Sequence, residues 1–271
     1  MSRERITSRS NPLIARLRRL KSQRSTRREE GVFLCEGPKM LREALRWDAR
    51  LETVVCTQET DLPDLPVSVR VVEVPKELLA AVADTQTPQG VVFLCKGKSL
   101  DPPEELEGDR FLVLDGVQDP GNVGAIWRSA DAFGADGLIL CGPCADPWSP
   151  KTVRATMGAV FRLPVWETTL EELAACLERK GIPLYSTALR EDTVDVRQID
   201  LSRAAVIVGS EGRGVSPLAL ELCEKTIKNS HAGPLRIFER RGGRLRWCCG
   251  RWRRSGPFKG SVERRLAECP I

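Results

Sequence analysis

The feature that most constrains the fold is a regular alternation of short apolar runs with helical patterns over residues 110–228. Phe111–Leu114 reads as a strand, residues 124–133 as a helix stopped by Gly134, and Leu138–Cys141 as the next strand. Ser149-Pro150 opens a further helix, and Leu163–Trp166 is a strand. Thr169-x-x-Glu172 is a capping box for a helix that ends at Gly181. Leu184–Ala188, Ala204–Gly209 and a helix begun by Ser216-Pro217 complete the series. Apolar strands separated by helices predict a parallel sheet with helices on both faces. Ligands of such sheets bind outside the carboxyl ends of the strands. Two glycine-punctuated loops fall there, Asp115–Gly124 and Gly209–Ser216.

Residues 1–98 read as a separate, smaller mixed α/β unit. Asn11-Pro-Leu-Ile-Ala-Arg-Leu-Arg-Arg-Leu20 places apolar side chains at 13, 14, 17 and 20, a helical stripe with Pro12 in the first turn. A strand over 31–37 leads to a helix through Met40, Leu41, Ala44 and Leu45. Val54–Cys56, Val67–Val72 and Val91–Leu94 are further strands. Residues 99–109, with Asp101-Pro-Pro103 and several carboxylates, form the linker.

Composition excludes several classes. A chain of 271 residues, 41% hydrophobic and 29% charged, is long enough for two globular domains. No window approaches the roughly 18 consecutive apolar residues of a membrane span. Met1-Ser-Arg-Glu-Arg5 has no apolar run behind its charges, so no secretory signal is read and a cytoplasmic location is expected. The ten cysteines are scattered, mostly in apolar contexts, where a reduced thiol behaves as a small hydrophobe. Cys141-x-x-Cys144 has metal-ligand spacing, but nothing nearby completes a tetrahedral set, so no metal is expected. One histidine, His231, leaves no histidine-based triad. The net charge of +5 hides a sharp segregation. Residues 1–50 carry 14 Lys/Arg against 6 Asp/Glu, residues 51–228 carry 17 against 28, and residues 229–271 carry 11 against 3. A basic N-terminal arm on an acidic body fits attraction to a phosphate backbone localised at one end, although a solvated helix face explains the same charges.

The run Asp119-Pro-Gly-Asn-x-Gly-Ala-Ile-x-Arg128, with Gly209-Ser-Glu-Gly-Arg-Gly-Val-Ser216, closely resembles the SpoU, or TrmH-like, family of RNA ribose 2′-O-methyltransferases. Those enzymes belong to the trefoil-knotted SPOUT class and use S-adenosylmethionine. Ile6-Thr-Ser-Arg-x-Asn-Pro-Leu13, Phe33-Leu-Cys-Glu-Gly37 and Thr87-Pro-Gln-Gly90 resemble the L30e-like RNA-binding domain fused to many of them. The expected fold is therefore an N-terminal L30e-like domain followed by a SPOUT methyltransferase domain. The resemblance implies a homodimer acting on RNA, with ribosomal RNA favoured over tRNA by the fused domain.

Transfer of a methyl group to a ribose hydroxyl needs that poor acid polarised and aligned with a sulfonium methyl. By resemblance, Asn122, Arg128 and Glu211 are the catalytic candidates, and Gly209, Ser210 and Gly212 contact the cofactor. Arginine stays protonated in proteins, so Arg128 reads as a group that positions hydroxyl and phosphate, although most arginines in such a place are merely solvated. Asn122 also reads as the cap of the helix that follows it, and Glu211 as an exposed loop carboxylate. Neither a phosphate-loop Gly-Lys-Ser/Thr nor a GxGxxG pattern follows a strand, which disfavours a nucleotide-dependent Rossmann enzyme. Arg9, Asn11 and Arg16 of the N-terminal unit, and Lys151 and Arg154 spaced i, i+3, are the RNA-binding candidates.

After Lys228 the chain departs from the family. A third motif, an Ile-Pro-Met-like loop followed by Ser-Leu-Asn and an apolar helix, should stand there to complete the knot and close over the adenine. Residues 229–271 instead form a basic, tryptophan- and cysteine-rich tail without apolar periodicity. One choice of codons for 229–239, read one base later, spells Ile-Pro-Met-Arg-Gly-Pro-Cys-Glu-Ser-Leu. Codons for Trp247–Trp252, read two bases later, spell Val-Leu-Trp-Glu-Met. The tail is read as an out-of-frame replacement of the third motif, with two slips required. A non-catalytic RNA-binding protein is the competing reading.

Overall fold

In the computed structural model, which describes residues 3–228, the chain forms two sheets, each with its own core. In chain order the first elements are β1 (Glu4–Arg5), α1 (Pro12–Ser22), α2 (Arg24–Glu30), β2 (Val32–Glu36), α3 (Pro38–Arg46), β3 (Leu51–Cys56), β4 (Arg70–Glu73), α4 (Lys76–Val82) and β5 (Val91–Lys96). There follow β6 (Arg110–Asp115), α5 (Pro120–Ala132), β7 (Gly137–Cys141), α6 (Pro150–Ala155), β8 (Val165–Thr168) and α7 (Leu170–Lys180). The last are β9 (Leu184–Thr187), β10 (Val194–Asp195), β11 (Ala204–Gly209), α8 (Pro217–Leu222) and β12 (Lys225–Lys228).

The first unit comprises the chain up to Ser99 together with Asp146–Arg162. Its sheet has the order β1-β4-β3-β5-β2, with β5 antiparallel to both β2 and β3. The stripe read from the sequence is the buried face of α1: Leu13, Ile14, Leu17 and Leu20 join one cluster with Leu34, Val55, Leu79 and Leu94. Each such side chain contributes about 1.5–3 kcal/mol on burial. Helix α2, Arg-Ser-Thr-Arg-Arg-Glu-Glu, carries no apolar stripe, so periodicity did not reveal it.

Asp146–Arg162 lies in the sequence span of the alternating strands and helices, yet it packs with the first unit. The Phe33 ring stands against Trp148 and Phe161, at centroid distances of 6.2 and 6.4 Å. Gly97 carries no side chain because a Cβ would stand 2.3 Å from the Trp148 ring. Arg27, only 4% exposed, donates from Nε to Asp146 Oδ2 at 2.8 Å, and from its two terminal nitrogens to Asp146 and to the Leu20 carbonyl, each at 2.6 Å.

The second unit holds a seven-stranded sheet of order β10-β12-β9-β11-β6-β7-β8 in which every pairing is parallel. Phe111, Val113, Ile139, Leu184, Ala205 and Ile207 share one face, under Leu170, Leu173 and Leu177 of α7 and Ala219 of α8. Leu112, Leu114, Leu138 and Leu140 alternate to the other face and are equally buried. The capping box and the left-handed Gly181 bound α7 as the sequence predicts. Leu106 of the linker is 2% exposed and belongs to this core. Two-residue β10 and Lys-flanked β12 carry too little pattern to be read in advance. Among the described residues no helix is long and apolar enough to cross a membrane. The tail read as an out-of-frame third motif lies outside the described residues, and so does the knot that this motif would complete.

Removing one partner of a buried ion pair strands the other charge, at a cost of about 3–5 kcal/mol. Asp146→Ala should therefore lower the unfolding free energy of the chain by about that amount in urea titrations. The double variant Arg27→Met with Asp146→Ala should recover most of the loss.

Candidate functional site

Strands β6 and β11 lie side by side in the sheet, with Asp115 opposite Gly209 at their carboxyl ends. From β6 the chain crosses to its neighbour β7, whereas from β11 it crosses the other way, past β9 to β12. This is a topological switch point, the place in an open parallel sheet where the outgoing loops separate and leave a crevice. The two loops singled out in the sequence both leave from it.

In the first loop, Gly116 turns at φ +63° and donates to the Cys141 carbonyl at 3.0 Å. Asp119 then starts α5: its carboxylate accepts from the Asn122 amide at 2.9 Å, with Pro120 in the first helical position. The cap is thus Asp119, which corrects the reading of Asn122 as the cap. Asn122 stands three residues into a helix that begins earlier than the apolar pattern predicts, because Pro120 and Gly121 carry no stripe. Its side chain is thereby free of capping duty.

Val123, Ile126, Trp127 and Ala130 form the buried face of α5, and the Trp127 indole N–H donates to the Leu163 carbonyl at 3.1 Å. Arg128 is exposed and makes no hydrogen bond or ion pair among the described residues. At i−7, i−4 and i−3 from it stand Gly121, Gly124 and Ala125. Helical side chains lean toward the N-terminus, so this strip leaves the guanidinium clear passage toward the loop.

The second loop is a closed turn. Ser210 and Gly214 exchange both backbone hydrogen bonds, at 3.0 and 2.9 Å, with Glu211, Gly212 and Arg213 at the tip. Its three glycines have different causes. A Cβ on Gly209 would stand 2.1 Å from the backbone carbon and oxygen of Gly214, so the turn itself forbids a side chain there. Gly214 adopts φ +72°, a left-handed conformation. Gly212 has an ordinary backbone and open space around it, so nothing among the described residues requires glycine. A glycine the fold does not need, at the mouth of a switch-point crevice, fits close approach by a ligand.

The two loops meet through their side chains: Asn122 Nδ2 donates to Glu211 Oε1 at 3.0 Å. The sequence reading therefore named two residues 89 positions apart that the fold brings into contact. It did not single out Asp115 or Asp119. The signals for them were present, an aspartate closing the strand and an aspartate before proline at a helix start. Nearby, burial pushes the Cys141 thiol far above its ordinary range and raises Cys144 as well, so neither is a thiolate nucleophile. Among the described residues no group of three or more His, Cys, Asp or Glu could hold a metal ion.

The RNA-binding candidates all fall in the first unit. Arg9 is exposed and without a partner among the described residues. Asn11 caps α1, accepting from the Leu13 amide at 2.8 Å. Arg16 pairs with Glu30 at 2.6 Å and with Glu52. The Glu52 carboxylate holds its guanidinium above the usual range, and Glu52 is lowered in return. Arg154 pairs with Asp84, which is fixed in turn by Glu36: that carboxylate accepts from the Asp84 and Thr85 amides at 2.8 and 3.1 Å. Lys151 is exposed on α6. Arg9 is therefore better presented to a polyanion than Arg16 or Arg154, whose charges already face carboxylates.

A family model described as the SpoU rRNA Methylase family matches residues 109–233, and one described as the MRM3-like substrate binding domain matches residues 11–92. The chain is 34% identical over 198 residues to the 23S rRNA (guanosine(2553)-2′-O)-methyltransferase RlmP of Bacillus subtilis (strain 168), covering 72% of this chain and 78% of that protein. An AdoMet-bound rRNA methyltransferase from Sinorhizobium meliloti superposes with a TM-score of 0.79 at 29% identity, covering 93% of this chain and 97% of that one. A protein described as a TrmH-family RNA methyltransferase, from Porphyromonas gingivalis, gives 0.78 at 32% identity over 91% and 99%.

The three glycines make a test of the local argument. Gly209→Ala should destabilise the chain by about 1–3 kcal/mol or more, because the overlap is with backbone that has nowhere to move. Gly212→Ala should leave the midpoint of a urea titration within about 0.5 kcal/mol of the parent. Equal losses for both would contradict the separate causes assigned to them.

Proposed function

The chain belongs to the SpoU rRNA methylase family, and we propose that it transfers a methyl group from S-adenosylmethionine to a ribose 2′-hydroxyl of 23S-type ribosomal RNA. The observation that carries the proposal is the meeting of Asn122 and Glu211 at the β6–β11 switch point, with Arg128 exposed on the adjoining helix and unpaired among the described residues. S-adenosylmethionine, when bound, supplies an electrophilic methyl on a sulfonium centre.

The residues of this chain have distinct tasks. Gly209, Ser210 and Gly212 form the turn that holds the cofactor, and Gly212 admits it closely. Glu211 takes the Asn122 Nδ2 donor, which fixes the amide and leaves Asn122 Oδ1 as an acceptor for the ribose hydroxyl. Arg128 brings a permanent positive charge toward the same hydroxyl and its neighbouring phosphate, where it would stabilise negative charge developing on the ribose oxygen. Arg9, Asn11, Arg16, Lys151 and Arg154 all lie in the first unit, of which residues 11–92 match the substrate-binding domain, and they are assigned to RNA, with Arg9 offering an open phosphate contact. The reading includes a homodimer acting in the cytoplasm. It also assigns residues 229–271 to the place of the third motif, out of frame; the family match runs only to residue 233.

Calorimetric titration of the full chain with S-adenosylmethionine tests the cofactor assignment. One site per chain is expected, and absence of binding heat would contradict it in favour of an RNA-binding protein without transferase activity. Restoring the frame after Lys228 should tighten that binding about tenfold or more, since an interaction of about 1.4 kcal/mol accounts for each factor of ten. Arg128→Ala should lower kcat about a hundredfold or more while leaving cofactor affinity unchanged, as expected when a transition-state contact is removed. Arg9→Ala and Lys151→Ala should each reduce the slope of log affinity for RNA against log salt by about one.

A further inference from the structure

Helix α8 is capped in an unusual way. Ser216 occupies the cap position, and its hydroxyl accepts from the Ala219 amide at 3.2 Å. In a capping box the third helical residue is Glu or Gln, whose side chain returns to the cap amide. Here that residue is Ala219, and Ser216-Pro-Leu-Ala219 contains no acid. The Ser216 amide donates instead to Asp115 Oδ2, at 2.5 Å, from the end of strand β6, 101 residues earlier. Asp115 is 8% exposed. A carboxylate held that far from water is costly unless its hydrogen bonds compensate, and a backbone N–H donated to a carboxylate makes a stronger bond than a neutral pair.

This bond fixes the stem of the turn that begins at Gly209. The turn is closed across its base by the Ser210–Gly214 exchange, and Val215 leads directly to Ser216. Its tip is held by the Asn122–Glu211 bond. Asp115 ends β6 and Asn122 stands in the first turn of α5, so the two sides of the β6–α5 connection grip the second loop at stem and tip together. We propose that Asp115 is a positioning residue for the cofactor turn, completing the α8 capping box from another strand and setting the height of Glu211 and Gly212 above the sheet. The proposal rests on the reading of that turn as the place of S-adenosylmethionine. It assigns Asp115 no contact with substrate or cofactor.

Two measurements on the full chain decide it. In hydrogen–deuterium exchange, Asp115→Ala should speed exchange of residues 210–216 about tenfold, the scale of a lost cap, while peptides from β7 and α7 stay unchanged. Asp115→Asn keeps an acceptor and should exchange within about threefold of the parent, because only the charge assistance is lost. In methyl-transfer kinetics at saturating RNA, Asp115→Ala should raise the KM for S-adenosylmethionine about tenfold with kcat within about threefold, and Asp115→Asn should restore most of it. A purely structural role would lower the active fraction, hence kcat, without moving KM. Unchanged exchange at 210–216, or an unchanged KM in a folded Asp115→Ala variant, overturns the proposal. If the parent chain itself takes up no S-adenosylmethionine, the cofactor reading fails, and with it the positioning role; exchange at 210–216 then shows separately whether the capping bond holds the turn.

Discussion

Everything at the site depends on the parallel pairing of β6 with β11 in a register that sets Asp115 opposite Gly209. Parallel strands end on the same side, so two segments nearly a hundred residues apart deliver their loops to one edge. The crossovers then leave in opposite directions, which opens the crevice rather than filling it. Slipping the register by one residue would turn the apolar side chains of β11 to the opposite face and break the core they share with β6. The hydrophobic pattern that stabilises the sheet is therefore what aligns the two polar loops. Asp119, Asp115 and the Ser210–Gly214 exchange then convert approximate proximity into fixed positions.

Charge is divided along the chain in a way that suits a transfer between unlike ligands. The first 50 residues are strongly basic, whereas 51–228 carry 28 carboxylates against 17 basic side chains. A polyanion is attracted by the former and gains little from the latter. Within the basic arm, geometry refines the picture that composition draws. Arg16 meets carboxylates of its own unit, and Arg27 is buried against Asp146, whereas Arg9 remains exposed. A count of arginines overstates the charge available to RNA.

The alternation of strands and helices was legible because strands β6, β7, β9 and β11 are short apolar runs bounded by glycine or proline. The capping box of α7 and the stop at Gly181 were equally plain. The start of α5 was not, since Pro120-Gly-Asn carries no periodicity and the true cap, Asp119, looked like part of a turn. Nor was the membership of Asp146–Arg162: its pattern is that of a crossover, and contacts such as Phe33–Trp148 and Arg27–Asp146 place it in the first unit. At the site, Asn122 and Glu211 were named by resemblance and found in contact, while the anchoring bond of Asp115 to Ser216 spans 101 residues and leaves no local trace. Short-range chemistry is written in the sequence; a bond closed by strand pairing is visible only once the pairing is known.

The position of the transferred methyl tests the central claim most directly. Ribosomal RNA incubated with the full chain and methyl-labelled S-adenosylmethionine would be hydrolysed in alkali, which cleaves RNA only where a free 2′-hydroxyl is present. The account predicts label in alkali-stable dinucleotides, lost in Asn122→Ala and Arg128→Ala variants that retain their fold. Label confined to mononucleotides would place the methyl on a base, and the assignment of these loops to a ribose 2′-hydroxyl would be wrong.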